Sequence, residues 1–98
     1  MEEEILRLYS GDGYGEVLME KVLVIQPKPQ IIRIPGAPKG IAGLISFEGG
    51  LIAARYLDGA EQKDSFECAV MISGDGRSRQ CILADEITGG EQVDSVYG

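Results

Sequence analysis

Two cysteines, Cys68 and Cys81, are the side chains of this 98-residue chain best suited to nucleophilic or redox chemistry. Neither stands in a recognisable nucleophile motif, and the chain contains no histidine to serve as the base that such a nucleophile usually needs. Two cysteines without histidine also fall short of the ligand set of a structural zinc site. We therefore expect buried free thiols, no metal, no cofactor and no catalytic residue.

Two glycine-rich segments have the composition of ion-binding loops. The segment from Gly11 to Gly15 reads GDGYG, and closely spaced glycines can turn backbone amides onto a phosphate, but no Gly-Lys-Ser or Gly-Lys-Thr follows and Asp12 would repel the anion. The segment from Gly74 to Gly76 reads GDG and lacks the further oxygen ligands of a calcium loop. Both are better explained as hairpin turns.

Length and charge narrow the class of protein. A chain of 98 residues supports one hydrophobic core, so we expect a single domain over residues 1–98 with frayed ends at 1–4 and 89–98. Its net charge of −7 disfavours nucleic acid. The acidic residues that follow Met1 are unlike the basic end of a signal peptide, and no apolar run approaches the ~20 residues that span a bilayer. We expect a cytoplasmic protein, in which the thiols stay reduced.

The pattern of short β-branched runs separated by Gly, Asp and Ser predicts an all-β fold built from hairpins. The predicted strand pairs are 5–9 with 14–18, 43–47 with 51–57, and 66–72 with 79–85. Residues 19–25 fit a short helical turn leading into a buried strand. Residues 26–38 contain four prolines and form an extended connection, in which the apolar residues 31–34 lie against the core or at a sheet edge. Residues 58–65 form a surface loop, and a tail follows from residue 88.

The segment from Ile34 to Ile52 reads IPGAPKGIAGLISFEGGLI and resembles the central signature of CheW-like domains. In that signature a Pro-x-x-Pro connection leads to a Gly-Val-Ile strand, a turn ending in Arg-Gly, and a second apolar strand. Residues 19–25 and 81–87 resemble the flanking segments of the family. The resemblance implies SH3-like β-barrels of the CheW type, truncated at the C-terminus. It also implies a noncatalytic adaptor that links chemoreceptors to the regulatory domain of a CheA-type histidine kinase.

Carried over onto this chain, the resemblance names five candidate interface residues: Val22, Val24, Gly43, Glu48 and Gly49. The chain departs from the family at two of them, since Glu48 stands where the family has arginine and Val24 where it has glutamate. Physical chemistry offers a second interpretation of the others. The two glycines suit tight turns or close backbone approach, and Val22 suits the core.

The missing last strands of the family would leave an unpaired sheet edge, and such edges recruit other chains. We therefore expect a homodimer or a partner strand at that edge. Two other functions fit the sequence. A small β-barrel could bind a small molecule or serve as an accessory subunit, in which case an apolar pocket is expected. A cysteine enzyme or redox protein would need accessible thiols of low pKa.

Overall fold

The computed structural model describes residues 4–74 and 78–89, which form eight β-strands and one turn of 3-10 helix. The strands are β1 Ile5–Ser10, β2 Gly13–Leu18, β3 Val22–Pro27, β4 Ile41–Phe47, β5 Gly50–Arg55, β6 Cys68–Ser73, β7 Arg79–Ala84 and β8 Glu86–Gly89. The 3-10 turn, Met19–Lys21, joins β2 to β3. The prediction of an all-β fold is confirmed.

The strands form two sheets. A three-stranded antiparallel sheet has the order β2-β1-β8, and a five-stranded sheet has the order β3-β6-β7-β5-β4. Neighbours in the larger sheet are antiparallel except β5 and β7, which run parallel. Within the described residues the larger sheet ends at β3 on one side and β4 on the other. It is therefore an open version of the barrel that the sequence led us to expect.

The hydrophobic core consists of two clusters on opposite faces of the five-stranded sheet. Alternation along β6 sends Ala69 and Met71 into the first cluster, and Cys68 and Val70 into the second. The first cluster comprises Ala42, Ile45, Ala54, Phe66, Ala69, Met71, Cys81 and Leu83. The second comprises Leu6, Leu8, Leu57, Cys68, Val70 and Ala84, so it joins the two sheets. Strands β6 and β7 are thus covered on both faces.

Residues 31–34, which we call the strap, lie along the outer edge of β4. The amide of Ile32 donates to the Leu44 carbonyl at 2.8 Å, and the Leu44 amide donates back at 2.9 Å. Ile31 packs against the first cluster on one side of this bridge. The prediction that this apolar stretch lies against the core and at a sheet edge is confirmed, and the strap covers part of an edge that would otherwise be unpaired.

Two features differ from the sequence-based expectations, and a third is described only in part. Strand β3 follows a helical turn as predicted but is not buried, because it is an edge strand; Leu23 is 47% and Val24 42% exposed. Strand β8 was not predicted, and Thr88 and Gly89 pair with β1 instead of starting a tail. The predicted turn at 73–78 begins as expected, since the Gly74 amide donates to the Ser78 carbonyl at 2.8 Å. Its centre, at 75–77, and the tail from residue 90 lie outside the described residues.

Candidate functional site

Two of the predicted interface residues lie on β3, the edge strand of the five-stranded sheet. Val22 is half-buried and packs against the second cluster, so it belongs to the core as much as to the surface. A β-bulge between Val22 and Val24 shifts the register and leaves the Leu23 and Val24 side chains about half exposed. We call the segment from Val22 to Gln26 the β3 edge. It presents apolar side chains beside backbone groups that face away from β6.

The other three predicted residues lie on the β4–β5 hairpin, at the opposite end of the strand order. Glu48 and Gly49 form its two-residue turn, between the paired residues Phe47 and Gly50. Both have positive φ, 51° for Glu48 and 82° for Gly49, which is the backbone of a type I′ turn. Glutamate is an uncommon residue at such a position, where asparagine, aspartate or glycine is favoured. The positive φ of Glu48 therefore carries a conformational cost.

The Glu48 side chain is held by a partner that the sequence did not indicate. The Arg79 guanidinium donates a hydrogen bond to its carboxylate at 2.5 Å, and also lies 5.5 Å from the centre of the Phe47 ring. Arg79 reaches the turn because β5 and β7 run parallel, which brings the start of β7 beside the start of β5. Both charged side chains are about half exposed. We call Phe47, Glu48, Gly49 and Arg79 the hairpin tip.

Gly43 is buried under the strap. A Cβ atom at this position would clash with the carbonyl oxygen of Ile32 and lie 2.9 Å from Cγ2 of Ile31. The residue therefore allows the strap to approach β4, and this close approach accounts for glycine without any partner protein. Gly49 differs, because a Cβ there would meet open space and only its positive φ favours glycine.

Arg33 anchors the strap, and sequence analysis did not single it out. One of its terminal nitrogens, Nη1, donates to the Ala42 carbonyl at 3.0 Å, and the other, Nη2, donates to the Lys63 carbonyl at 2.7 Å. Nη2 also lies 3.3 Å from a carboxylate oxygen of Asp64. A single arginine thus joins β4, the strap and the surface loop, which are far apart in sequence.

Asp85, immediately before β8, connects β1 of the smaller sheet to the segment that leads into β6 of the larger sheet. Its carboxylate accepts hydrogen bonds from the Ser10 hydroxyl at 2.8 Å, from Lys63 Nζ at 2.6 Å and from the Glu67 amide at 3.2 Å. Its own amide donates to the Tyr9 carbonyl at 2.8 Å. Partial burial opposes ionisation, but the hydrogen bonds from Lys63, Ser10 and Glu67 outweigh it and lower the pKa of the carboxyl group.

Both cysteines are free and buried, as the sequence predicts. Burial raises the pKa of the Cys68 thiol to about 11, with further contributions from the Asp85 and Glu67 carboxylates. Burial, with a smaller contribution from Cys68, raises the pKa of the Cys81 thiol to about 12. Reactive cysteines have lowered pKa values and are accessible. These two have the opposite properties, which disfavours the cysteine-enzyme hypothesis.

Residues 4–74 and 78–89 contain no group of three or more His, Cys, Asp or Glu side chains placed to hold a metal ion.

No helix within those same ranges is long and apolar enough to cross a membrane.

The fold is CheW-like, because a CheW protein of known structure superposes on both sheets over most of the chain. The crystal structure of the scaffolding protein TtCheW from Thermoanaerobacter tengcongensis superposes on this chain with a TM-score of 0.72 and 17% sequence identity. The match covers 90% of this chain and 63% of TtCheW, so this chain spans less than two thirds of that protein. No protein-family model matches the sequence, and no curated protein sequence matches it.

Proposed function

We propose that this chain is a noncatalytic cytoplasmic adaptor of a chemotaxis-type signalling system. Its main partner is the regulatory domain of a CheA-type histidine kinase, and its second partner is a chemoreceptor signalling tip. The observation that carries this proposal is the CheW-like fold, which covers 90% of the chain and is shared with a scaffolding protein. Fold alone does not define function, so the proposal also depends on the surfaces described above.

The β3 edge and the hairpin tip are the surfaces that we assign to the kinase domain. An edge strand with exposed apolar side chains suits a protein partner, which can add hydrogen bonds to the strand and cover Leu23 and Val24. At the tip, Glu48 occupies a left-handed backbone conformation that favours other residues, and this supports a functional role for its side chain. Glu48 and Arg79 there offer one charge of each sign.

The noncatalytic part of the proposal is supported by the state of the thiols. With pKa values of about 11 and 12, both cysteines are protonated at neutral pH and lie within the core. The chain has no histidine to activate them or a serine. These properties support a function in protein binding and not in catalysis.

The proposal is tested by isothermal titration calorimetry of this protein against the regulatory domain of a CheA-type kinase from the same organism. We expect a dissociation constant of about 10 μM or tighter. Val24→Lys should weaken binding at least about fivefold, because the lysine places a charge in the apolar contact. The matched control is Ile34→Lys, which puts the same charge on another exposed apolar residue and should leave binding unchanged.

The contribution of the hairpin tip is tested by removing the charge of Glu48. Glu48→Gln removes the ion pair with Arg79 and should weaken kinase-domain binding at least about fivefold. Glu61→Gln makes the same change in charge on an exposed residue of the surface loop and serves as the control. A parallel titration with a receptor signalling tip tests the second partner. Absence of binding to both partners would refute the proposed function.

A further inference from the structure

The outward face of the three-stranded sheet carries two adjacent tyrosines. Alternation along β1 buries Leu6 and Leu8 in the second cluster, so Tyr9 lies on the opposite face of the sheet. Its cross-strand partner on β2 is Tyr14, which is 42% exposed. The two ring centres are 5.3 Å apart and the rings are tilted by 55°, as aromatic pairs prefer. The pair therefore presents ring surface outside both hydrophobic clusters.

Register places charged side chains around the tyrosine pair. On β8, Glu86 lies opposite Tyr9. In the next row Arg7 of β1 lies between Glu16 of β2 and Thr88 of β8. These four neighbours are all exposed. We call the two rows the aromatic face, which comprises Tyr9, Tyr14, Glu86, Arg7, Glu16 and Thr88.

The two carboxylates of the aromatic face differ in what they already bind. The Tyr14 hydroxyl donates to Oε2 of Glu16 at 2.5 Å, and Nε of Arg7 lies 3.9 Å from the same oxygen. The Glu86 side chain forms no hydrogen bond or ion pair with any residue in the ranges 4–74 and 78–89. Glu86 is therefore the carboxylate that is available to a partner, and it lies beside the Tyr9 ring.

The charges in and around the aromatic face favour a cationic partner. Arg7 offsets Glu16, so Glu86 leaves the face with a net negative charge. Asp12 in the β1–β2 turn and Asp58, whose carbonyl accepts a hydrogen bond from the start of β2, add exposed carboxylates beside it. Neither of these forms an ion pair within the described ranges. The net charge of −7 further repels anions and second copies of the chain, and attracts basic segments.

Arginine is the cationic side chain that best fits this face. A guanidinium is attracted to the face of a tyrosine ring and can at the same time form parallel hydrogen bonds to a carboxylate. Tyr9 and Glu86 lie directly opposite each other on neighbouring strands, where Cβ atoms are about 4.5–5.5 Å apart, so one guanidinium can contact both. Lysine fits less well, because its ammonium is more strongly hydrated and has no planar surface to stack on the ring.

The hairpin tip shows the same combination of contacts within the chain. There the Arg79 guanidinium lies 5.5 Å from the centre of the Phe47 ring and donates a hydrogen bond to the Glu48 carboxylate. An aromatic ring and a carboxylate on adjacent positions of this fold thus hold an arginine. On the aromatic face the ring and the carboxylate are present, and the described part of the chain supplies no arginine to Glu86.

We propose that the aromatic face binds an arginine side chain on an exposed basic segment of a partner protein. The guanidinium stacks on the Tyr9 ring and pairs with Glu86, while Tyr14 packs against Tyr9 and is itself held by Glu16. A contact of this size is weak alone and adds to others. It lies on the smaller sheet, whereas the β3 edge and the hairpin tip belong to the larger one, so it is independent of the kinase binding proposed above.

An NMR titration of the full ¹⁵N-labelled chain with the peptide acetyl-Thr-Arg-Thr-Arg-Thr-amide tests this proposal. We expect amide shifts that change mainly in β1, β2 and β8, with a dissociation constant of about 1 mM at about 0.05 M NaCl and weaker binding at about 0.5 M. The same peptide with citrulline in place of arginine keeps the shape without the charge and should bind at least about tenfold more weakly. A lysine peptide should bind at least about threefold more weakly.

Variants identify the residues that hold the arginine. Glu86→Gln should weaken binding at least about fivefold, whereas Glu61→Gln removes the same charge from the surface loop and should leave it unchanged. Tyr9→Thr removes the ring but keeps a residue that favours strands, and should also weaken binding at least about fivefold. Tyr9→Phe keeps the ring face and should restore it. The amide spectrum of each variant also shows whether the variant is folded.

Three results would overturn the proposal. The first is the absence of shift changes in β1, β2 and β8 at about 10 mM peptide. The second is equal weakening by Glu86→Gln and Glu61→Gln, or equal binding of the arginine and lysine peptides, which would show attraction to the overall negative charge only. The third is a change of these shifts when the protein is diluted without peptide, which would assign the face to a second copy. Kinase binding is measured with variants of other residues, so the failure of one proposal is distinguishable from that of the other.

Discussion

At the scale of single residues, Arg33 and Glu48 show two different uses of a charged side chain. The Arg33 guanidinium satisfies backbone carbonyls of β4 and of the surface loop, so its role is to hold distant segments together. Glu48 satisfies no backbone group, occupies a backbone conformation that favours other residues, and pairs with an exposed arginine. The first is explained by stability alone, whereas the second fits the recognition role that we propose for the hairpin tip.

Replacing Arg33 should destabilise the protein. Arg33→Met keeps most of the apolar stem but removes the donors to the Ala42 and Lys63 carbonyls, and we expect the free energy of unfolding to fall by about 1–2 kcal/mol. Urea denaturation measures this. Arg55→Met is the control, because the Arg55 side chain is exposed and forms no hydrogen bond or ion pair within the described ranges. Equal effects of the two substitutions would contradict the anchoring role.

Two substitutions at Glu48 separate the backbone cost from the ion pair. Glu48→Gln and Glu48→Asn both lose the charge that pairs with Arg79, but only asparagine is favoured at positive φ in a type I′ turn. We expect Glu48→Asn to be more stable than Glu48→Gln by about 0.5–1 kcal/mol, since left-handed backbone costs ordinary residues about that much or more. Thermal or urea unfolding measures the difference. If the Gln variant is as stable as the Asn variant, the left-handed backbone at residue 48 does not cost stability.

At the scale of elements, the sequence predicted best those strand pairs that a short turn connects. The hairpins β1–β2 and β4–β5 follow from Gly-rich turns between apolar runs, and the five candidate residues fall on β3 and the β4–β5 hairpin. The parallel pairing of β5 with β7 and the antiparallel pairing of β8 with β1 join strands far apart in sequence. No local signal encodes these pairings, so the partners of Glu48 and Asp85 could not be predicted.

A substitution at Gly43 tests whether the strap and β4 need a residue without a side chain in order to pack closely. Gly43→Ala forces a Cβ into the Ile32 carbonyl, and we expect a loss of about 1–3 kcal/mol in the free energy of unfolding. Gly50→Ala is the control, because the nearest atom to its Cβ is 3.9 Å away. Chemical denaturation of both variants distinguishes them. If Gly43→Ala is as stable as Gly50→Ala, the glycine is not needed for packing, and the contact interpretation gains support.

The two central strands β6 and β7 carry the cysteines, and thiol labelling measures how well those strands are covered. At a pKa near 11, on the order of one Cys68 thiol in ten thousand is ionised at neutral pH. We expect Ellman's reagent to label neither cysteine in the native protein and both after unfolding in urea. Fast labelling of one native thiol would contradict its burial and renew the cysteine-enzyme hypothesis.

At the scale of the whole molecule, two sheets share one middle layer. Strands β6 and β7 contribute to both hydrophobic clusters, so the sheets are expected to unfold together. Asp85 adds a polar link between them, through Ser10 and Tyr9 on one side and Lys63 and Glu67 on the other. Loss of this link should affect global stability more than local structure.

The lowered pKa of Asp85 predicts a pH dependence with a definite sign. A carboxyl group whose pKa is lower in the folded state stabilises that state above its unfolded pKa of about 3.9, and this stabilisation disappears as the pH falls through the folded value. Asp85→Asn should therefore lower stability at neutral pH and flatten the loss of stability towards acid pH. Urea unfolding across this range measures both. Glu61→Gln is the control for the removal of one exposed charge. If the free energy of unfolding of Asp85→Asn changes with pH in the same way as that of the wild type, the Asp85 hydrogen bonds do not stabilise the folded state.

The central claim is that a CheW-like fold serves here as an adaptor for a CheA-type kinase, and a competition experiment tests it most directly. The regulatory domain of the kinase is first saturated with a full-length, fluorescently labelled CheW protein of the same organism, and this chain is then added. We predict that it displaces the labelled protein, so that fluorescence anisotropy falls as the chain is titrated and falls less with Val24→Lys. Unchanged anisotropy at a large excess of this chain, together with no direct binding to the kinase domain, would contradict the claim.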